Sequence, residues 1–132
     1  DVYFSAKEFK SAYKFLNRII KILQTQHTNE RLYCYCLLCQ MVVLIESQDI
    51  YLLKNKMSAF KRRAILLPDN RWMLNFLNLI GLIYKEKNKT SRSMDKIIKE
   101  LLAPVNLDES LRTLNTYFNL INWLNKYSSK IE

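Results

Sequence analysis

The sequence predicts an all-α fold, and three observations carry that prediction. Only one glycine and two prolines occur in 132 residues, whereas β-hairpins depend on glycine-containing turns. Between a few polar breaks, apolar residues recur at spacings of three and four, the period of a helix that buries one face. Hydrophobic residues make up 49% of the chain, so it can bury a sizeable core and lacks the composition of a disordered segment.

The first two predicted helices are both strongly apolar. The first runs from about Glu8 to Gln24 and has an apolar stripe that Phe15 and Ile22 make unusually broad. The second runs from about Glu30 to Ser47, and Gln40 is its only clearly polar residue between positions 32 and 45. A helix that is apolar on all sides lies in a core. We therefore predict that the second helix is the most buried element.

The third predicted helix begins after Asp49 and ends before Pro68. An aspartate can cap the N-terminus of a helix, and the residue before a proline avoids the helical region. The helical period predicts that its buried side chains are Ile50, Leu53, Met57, Phe60 and Ala64.

Three more helices are predicted in the C-terminal half. The fourth begins near Asp69 and ends at the polar segment KEKNKTS, and the fifth runs from about Ser91 to Leu102. A sixth is expected over residues 106–129, because Asn106 and Glu109 have the spacing of a capping box. The apolar residues of the fourth helix that follow the helical period are Trp72, Met73, Phe76, Leu77, Ile80, Ile83 and Tyr84.

The sequence contains a weak internal repeat whose unit is a pair of helices. Three residues that each follow a polar break, Ala12, Leu53 and Ser93, are 41 and 40 residues apart. A period of about 20 to 50 residues indicates a solenoid of stacked supersecondary units. Each of the three lies nine residues after a large side chain near the end of the preceding segment: Tyr3, Leu44 and Tyr84.

Two segments make this repeat resemble the tetratricopeptide repeat. YFSAKEFKSAYKFL is similar to the turn region of that family, with aromatic residues at Tyr3 and Phe9 and a small residue at Ala12. LIGLIY is similar to the family's Leu-Gly-x-x-Tyr, matched by Gly81 and Tyr84. The sequence departs from the family in having a repeat about six residues longer and a large residue, Leu53, at a small-residue position.

The resemblance implies a right-handed array of antiparallel helical hairpins, an α-solenoid, in a single domain of a longer chain. The expected hairpins cover residues 1–25, 29–65 and 69–103, and the capping helix covers 106–129. In such an array the first helix needs a further neighbour. We therefore expect its outer flank to be covered by upstream repeats or by a second copy of the chain in a homodimer.

The resemblance also implies a function in protein–protein interaction, as a non-catalytic scaffold. The first helix of each hairpin in tetratricopeptide arrays lines a groove, where asparagine and basic side chains can hold an extended peptide. The candidate groove residues form a polar stripe on the fourth and sixth helices: Arg71, Asn75, Asn78, Lys85, Arg112, Asn115, Asn119 and Asn122. Alternatively, this stripe is simply the solvated side of two amphipathic helices.

The net charge of +9 keeps two other functions open. The first is nucleic-acid binding, in which a basic all-α domain contacts phosphates. The second is ligand binding by a regulatory segment of a larger regulator. Lysine and arginine near a helix end also simply offset the helix dipole. The basic patch of the nucleic-acid alternative consists of Lys61, Arg62, Arg63, Lys85, Lys87, Lys89 and Arg92.

The sequence predicts neither an enzyme nor a metal protein. Cys34, Cys36 and Cys39 do not share one helix face, and the single histidine, His27, offers at best a fourth ligand for zinc. No glycine-rich phosphate loop, zinc-protease motif or nucleophile elbow is found. We expect no cofactor. The odd number of cysteines favours a reducing compartment. The opening DVYFSA lacks the pattern of a signal peptide, and no apolar run reaches the roughly 18 residues of a membrane span. The expected location is therefore the cytoplasm.

Overall fold

The computed structural model is all-α, as the sequence predicts. It describes residues 8–26, 29–86, 92–103, 112 and 120–131, and these contain helices and turns but no strand. The predicted start of the last helix and the aromatic residue Tyr3 lie outside the described residues. The helices are α1 (Glu8–Gln26), α2 (Glu30–Glu46), α3 (Ile50–Ala64), α4 (Arg71–Glu86), α5 (Arg92–Leu102) and α6 (Leu120–Ile131).

The chain divides into two compact units, residues 1–68 and 69–132. In the first unit, α2 packs against both α1 and α3. All twelve residues from Tyr33 to Leu44 are buried, and the prediction that α2 is the most buried helix is confirmed. Ala12, Leu16 and Ile20 form the buried stripe of α1, whereas Phe15 and Ile22 are exposed. What covers that flank stays a prediction.

The connection between α2 and α3 is only three residues long, because both helix ends are capped within it. The N–H of Asp49 donates to the carbonyl of Leu44 (3.0 Å) and that of Gln48 to Ile45 (3.1 Å), with Gln48 at a φ of 60°. This is the Schellman pattern, in which one left-handed residue satisfies the last carbonyls of a helix. The Asp49 side chain then accepts the N–H of Leu52 (3.2 Å), which confirms it as the N-cap of α3.

The buried seam of α3 is shorter than the sequence predicts. Leu53, Phe60 and Ala64 are fully buried and Met57 is partly buried, but Ile50 is 40% exposed, so its predicted burial is wrong. Side chains on a helix lean toward its N-terminus. Since Ile50 is the first residue of α3, its side chain leans past the end of the helix and not over a preceding turn.

The second unit is built on α5, which packs against α4 and α6. Phe76 lies at its centre, with ring centroids 5.3 Å from Trp72 and 6.0 Å from Trp123. Leu79 is fully buried, although it is not among the residues predicted for the apolar side of this helix, while Trp72, Leu77 and Tyr84 are partly exposed. The described core of this unit consists of Met73, Phe76, Leu79, Ile80, Ile83, Met94, Ile98, Leu101, Leu120, Trp123 and Leu124.

Candidate partner-binding groove

Three of the predicted groove residues line one concave surface on α4. Arg71, Asn75 and Asn78 follow the i, i+4, i+7 spacing, which places side chains on one helix face. The groove that they line has a volume of about 900 Å³. Its remaining lining residues are Asp69, Asn70, Trp72, Leu74 and Glu100.

Two hydrogen bonds between α4 and α5 hold this groove in shape. The indole Nε1 of Trp72 donates to the carbonyl of Leu101 (3.2 Å), and Asn75 Nδ2 donates to Glu100 Oε2 (3.2 Å). Both acceptors lie in the last turn of α5, so the end of that helix fixes two side chains of α4. The Trp72 ring also packs against Phe76, which anchors it on the core side. The groove is thus a preformed feature of this unit.

The other predicted groove residues are not brought to this surface. Lys85 is exposed ten residues after Asn75, roughly 15 Å farther along the helix. Arg112 is exposed, Asn122 on α6 is half-buried, and neither lines the groove. Asn115 and Asn119 lie outside the described residues.

Sequence reasoning missed two important members of the groove. Trp72 belongs to the apolar residues of the predicted fourth helix, and an aromatic residue at such a position is normally buried. Glu100 belongs to a different helix, and its position beside Asn75 depends on how α4 and α5 pack. The helical period identifies side chains on one face of one helix, but it contains no information about the face opposite.

The predicted basic patch separates into residues with different surroundings. Arg63 Nη1 lies 2.6 Å from Glu30 Oε1, and its guanidinium carbon lies 4.0 Å from the centroid of the Tyr33 ring. Arg63 therefore ties the end of α3 to the start of α2. Lys61 and Arg62 are exposed on the other side of α3, where they line an open surface together with Ser58. Lys85 and Arg92 are exposed, and Lys87 and Lys89 lie outside the described residues.

The three cysteines are free thiols in the interior of α2. Burial, followed by the nearby Glu30 carboxylate, raises the pKa of Cys34 to about 11. Burial, followed by Cys34, raises the pKa of Cys36 to about 12, and complete burial raises the pKa of Cys39 well above its usual value. Because the thiolate is the nucleophile and the metal ligand, these groups are held in their unreactive form.

We predict that the protein binds no stoichiometric zinc and that its native thiols are inert. A chelator should leave the melting curve unchanged, and a thiol-specific reagent near neutral pH should modify the three cysteines only after unfolding in guanidinium. Elemental analysis and a thiol titration of native and unfolded protein measure this. One zinc per chain, or rapid modification of the native protein, would contradict the structural role of these residues.

Within the part of the chain that the structure describes, no three histidine, cysteine or acidic side chains lie close enough together to hold a metal ion. His27 lies outside that part. None of the described helices is both long and apolar enough to cross a membrane. Comparisons of the chain with protein-family models, with curated proteins and with solved structures found no match.

Proposed function

We propose that this chain is a non-catalytic protein-interaction module that binds an extended segment of a partner protein in the groove on α4. The observation that carries the proposal is the convergence of Arg71, Asn75 and Asn78 on one concave surface beside Trp72. In this proposal the module belongs to a cytoplasmic scaffold or regulator built from tetratricopeptide-like repeats.

The chemistry of the groove suits a peptide backbone. Each asparagine amide carries both donors and acceptors, so it can bind the N–H and C=O groups of an extended chain. Trp72 adds a partly exposed aromatic surface of the kind that anchors binding energy in protein interfaces. Its indole N–H is already bonded to Leu101, so contact with a partner does not leave that group without an acceptor.

The charge of the groove favours a peptide over a nucleic acid at this site. Two carboxylates, Asp69 and Glu100, and one guanidinium, that of Arg71, line the groove. Such a surface would repel a phosphate backbone. A protein that binds a phosphate backbone needs several cations that are not compensated by carboxylates. We therefore expect recognition by backbone hydrogen bonds and by an apolar side chain against Trp72, with weak dependence on salt.

The proposal is tested by selecting peptides from a random display library against the whole chain and measuring their dissociation constants. Arg71→Ala and Asn78→Ala should each weaken a selected peptide by about three- to tenfold, the usual loss for one or two hydrogen bonds. Lys96→Ala, an exposed change on α5 outside the groove, is the matched control and should have no effect. Peptides that bind all three variants equally would show that the groove is not the site.

One observation favours nucleic-acid binding as a second candidate function. Tyr51 on α3 is 80% exposed, and the exposed cations Lys54, Lys61 and Arg62 lie along the same helix. Aromatic stacking combined with cationic side chains is typical of single-stranded nucleic-acid binding. In this case affinity for an oligonucleotide should fall steeply with added salt, and Lys61→Glu should weaken it, whereas Arg71→Ala should not.

A further inference from the structure

We propose that a second groove, formed where α1, α2 and α3 meet, binds a small amphipathic anion that has an apolar body and a single carboxylate or sulfate group. The groove has a volume of about 300 Å³ and belongs entirely to the first unit. It shares no residue with the proposed peptide groove. Its lining consists of Phe9, Lys10, Tyr13, Lys14, Val43, Leu44, Ser47, Asp49 and Leu52.

The inner part of this groove is apolar. Val43 and Leu44 of α2 are almost completely buried and form its floor. Phe9 and Leu52, which are both incompletely buried, bring apolar surface from α1 and α3. A volume near 300 Å³ is at the lower end of the range for ligand sites, and sites between helices are common in helical bundles. This size suits a medium-chain carboxylic acid better than a nucleotide.

The rim of the groove is positively charged. Lys10 and Lys14 are exposed and lie one helical turn apart on α1. Lys56 of α3 is not part of the lining, but its Nζ lies 5.6 Å from the centroid of the Tyr13 ring. The sequence of α1 contains one acidic residue, Glu8, which is its first. An anion at the rim would therefore meet two ammonium groups, those of Lys10 and Lys14.

Asp49 is the one carboxylate among the described lining residues, and its charge partly offsets those of the two lysines. Its side chain accepts the N–H of Leu52 and caps the positive end of α3. Burial, followed by the charge of Asp49, raises the pKa of Tyr13, so the phenol remains a neutral hydrogen-bond donor at physiological pH. Burial lowers the pKa of Lys56, as is typical of an ammonium group that has lost part of its hydration.

These features together select the class of ligand. An inorganic anion would leave the apolar floor unused, and a neutral apolar molecule would leave the lysines without a counter-charge. The phosphates of a nucleic acid could reach the rim but could not fill a narrow groove between helices. An amphipathic anion satisfies both parts of the groove at once, because its tail covers Val43 and Leu44 while its head lies between Lys10 and Lys14.

The test uses the full chain with decanoate as the probe, below its micelle concentration, in isothermal titration calorimetry and thermal melting. We expect one decanoate per chain and a melting temperature that rises with ligand concentration by mass action. Decyltrimethylammonium, which has the same tail and the opposite charge, and inorganic sulfate, which has no tail, should both fail to bind. Equal binding of decyltrimethylammonium, competition by sulfate, or the absence of saturable decanoate binding would overturn the proposal.

Two variants localise the site. Leu52→Glu and Lys14→Glu should each weaken decanoate by about tenfold or more, since each adds a repulsive carboxylate to the lining. An acidic residue in the first turn of a helix is well tolerated, so Leu52→Glu should remain folded. Lys21→Glu, the same charge change on α1 two turns away, is the matched control and should change affinity less than about twofold. An equal loss in Lys14→Glu and Lys21→Glu would indicate net charge alone and would overturn the site.

A bilayer is the competing source of such a ligand. Vesicles of phosphatidylcholine with phosphatidylglycerol should not sediment the protein more strongly than vesicles of phosphatidylcholine alone. Strong sedimentation that requires phosphatidylglycerol, together with no binding of free decanoate, would assign the lysines to a membrane surface and would contradict the proposed groove.

Discussion

Replacing Leu38 by alanine is expected to lower the free energy of unfolding by about 2–5 kcal/mol, the usual loss for truncating a large buried side chain. Leu38 is fully buried at the middle of α2, the helix that packs against both α1 and α3. Alanine there removes apolar contacts and leaves a cavity that α1 and α3 can close only in part. Urea denaturation followed by circular dichroism measures the loss.

The chain offers a matched control for this substitution. Leu66 lies in the same unit but is 83% exposed, so Leu66→Ala removes the same atoms from a position in contact with water. We expect that change to remain within about 0.5 kcal/mol of the wild type. Because small domains are stable by only about 5–15 kcal/mol, the two variants should differ visibly in their denaturation midpoints. A loss below about 1 kcal/mol for Leu38→Ala would mean that α2 is not the core helix.

The elements of this fold could be predicted from the sequence because each helix carries its own signals. The apolar content of α2 indicated its burial, and Asp49 indicated the start of α3 through a bond that spans only three residues. Local interactions of this kind involve residues that are close in the chain. The spacing of Arg71, Asn75 and Asn78 is local in the same sense, and these three do line one groove.

Features that depend on the packing of separate helices could not be predicted. The sequence places Arg63 in a basic patch, yet it pairs with Glu30, which is 33 residues away in the sequence. Glu100 reaches Asn75 from another helix, and the groove at Lys10 and Lys14 needs side chains from three helices. Periodicity shows whether one face of a helix is polar or apolar, but it does not show which other helix packs against that face.

Gln40 is predictable in one respect and not in another. The sequence shows it as the one clearly polar residue in the apolar run of α2, but not its partner. Its Nε2 donates to Asn17 Oδ1 of α1 at 2.7 Å, and the side chain is fully buried. Within the described residues its Oε1 has no hydrogen-bond partner. A buried acceptor in this state costs stability, so substitutions here should have large effects of predictable sign.

Gln40→Glu should make the stability of the protein depend strongly on pH. The neutral carboxyl group has nearly the shape of the amide and can donate its proton to Asn17, so at about pH 4 the variant should be close to the wild type. Burial disfavours the carboxylate and raises the folded-state pKa of the introduced group above its unfolded value of about 4.3. Between these two pKa values the folded state binds the extra proton, and stability therefore falls as pH rises. We expect a loss of about 3–5 kcal/mol between about pH 4 and about pH 8, relative to the wild type in the same buffers.

Gln40→Leu is the control that separates charge from shape. It fills the same space and removes the acceptor that has no partner, while Asn17 is half-buried and can bind water in place of the lost amide. Its stability should lie within about 1 kcal/mol of the wild type and should show no added dependence on pH. If Gln40→Glu follows the same pH curve as Gln40→Leu, the introduced carboxylate must reach water in the folded state. The centre of α2 would then be hydrated, and the contact between α1 and α2 that forms one wall of the amphipathic-anion groove would be looser than the buried Asn17–Gln40 bond requires.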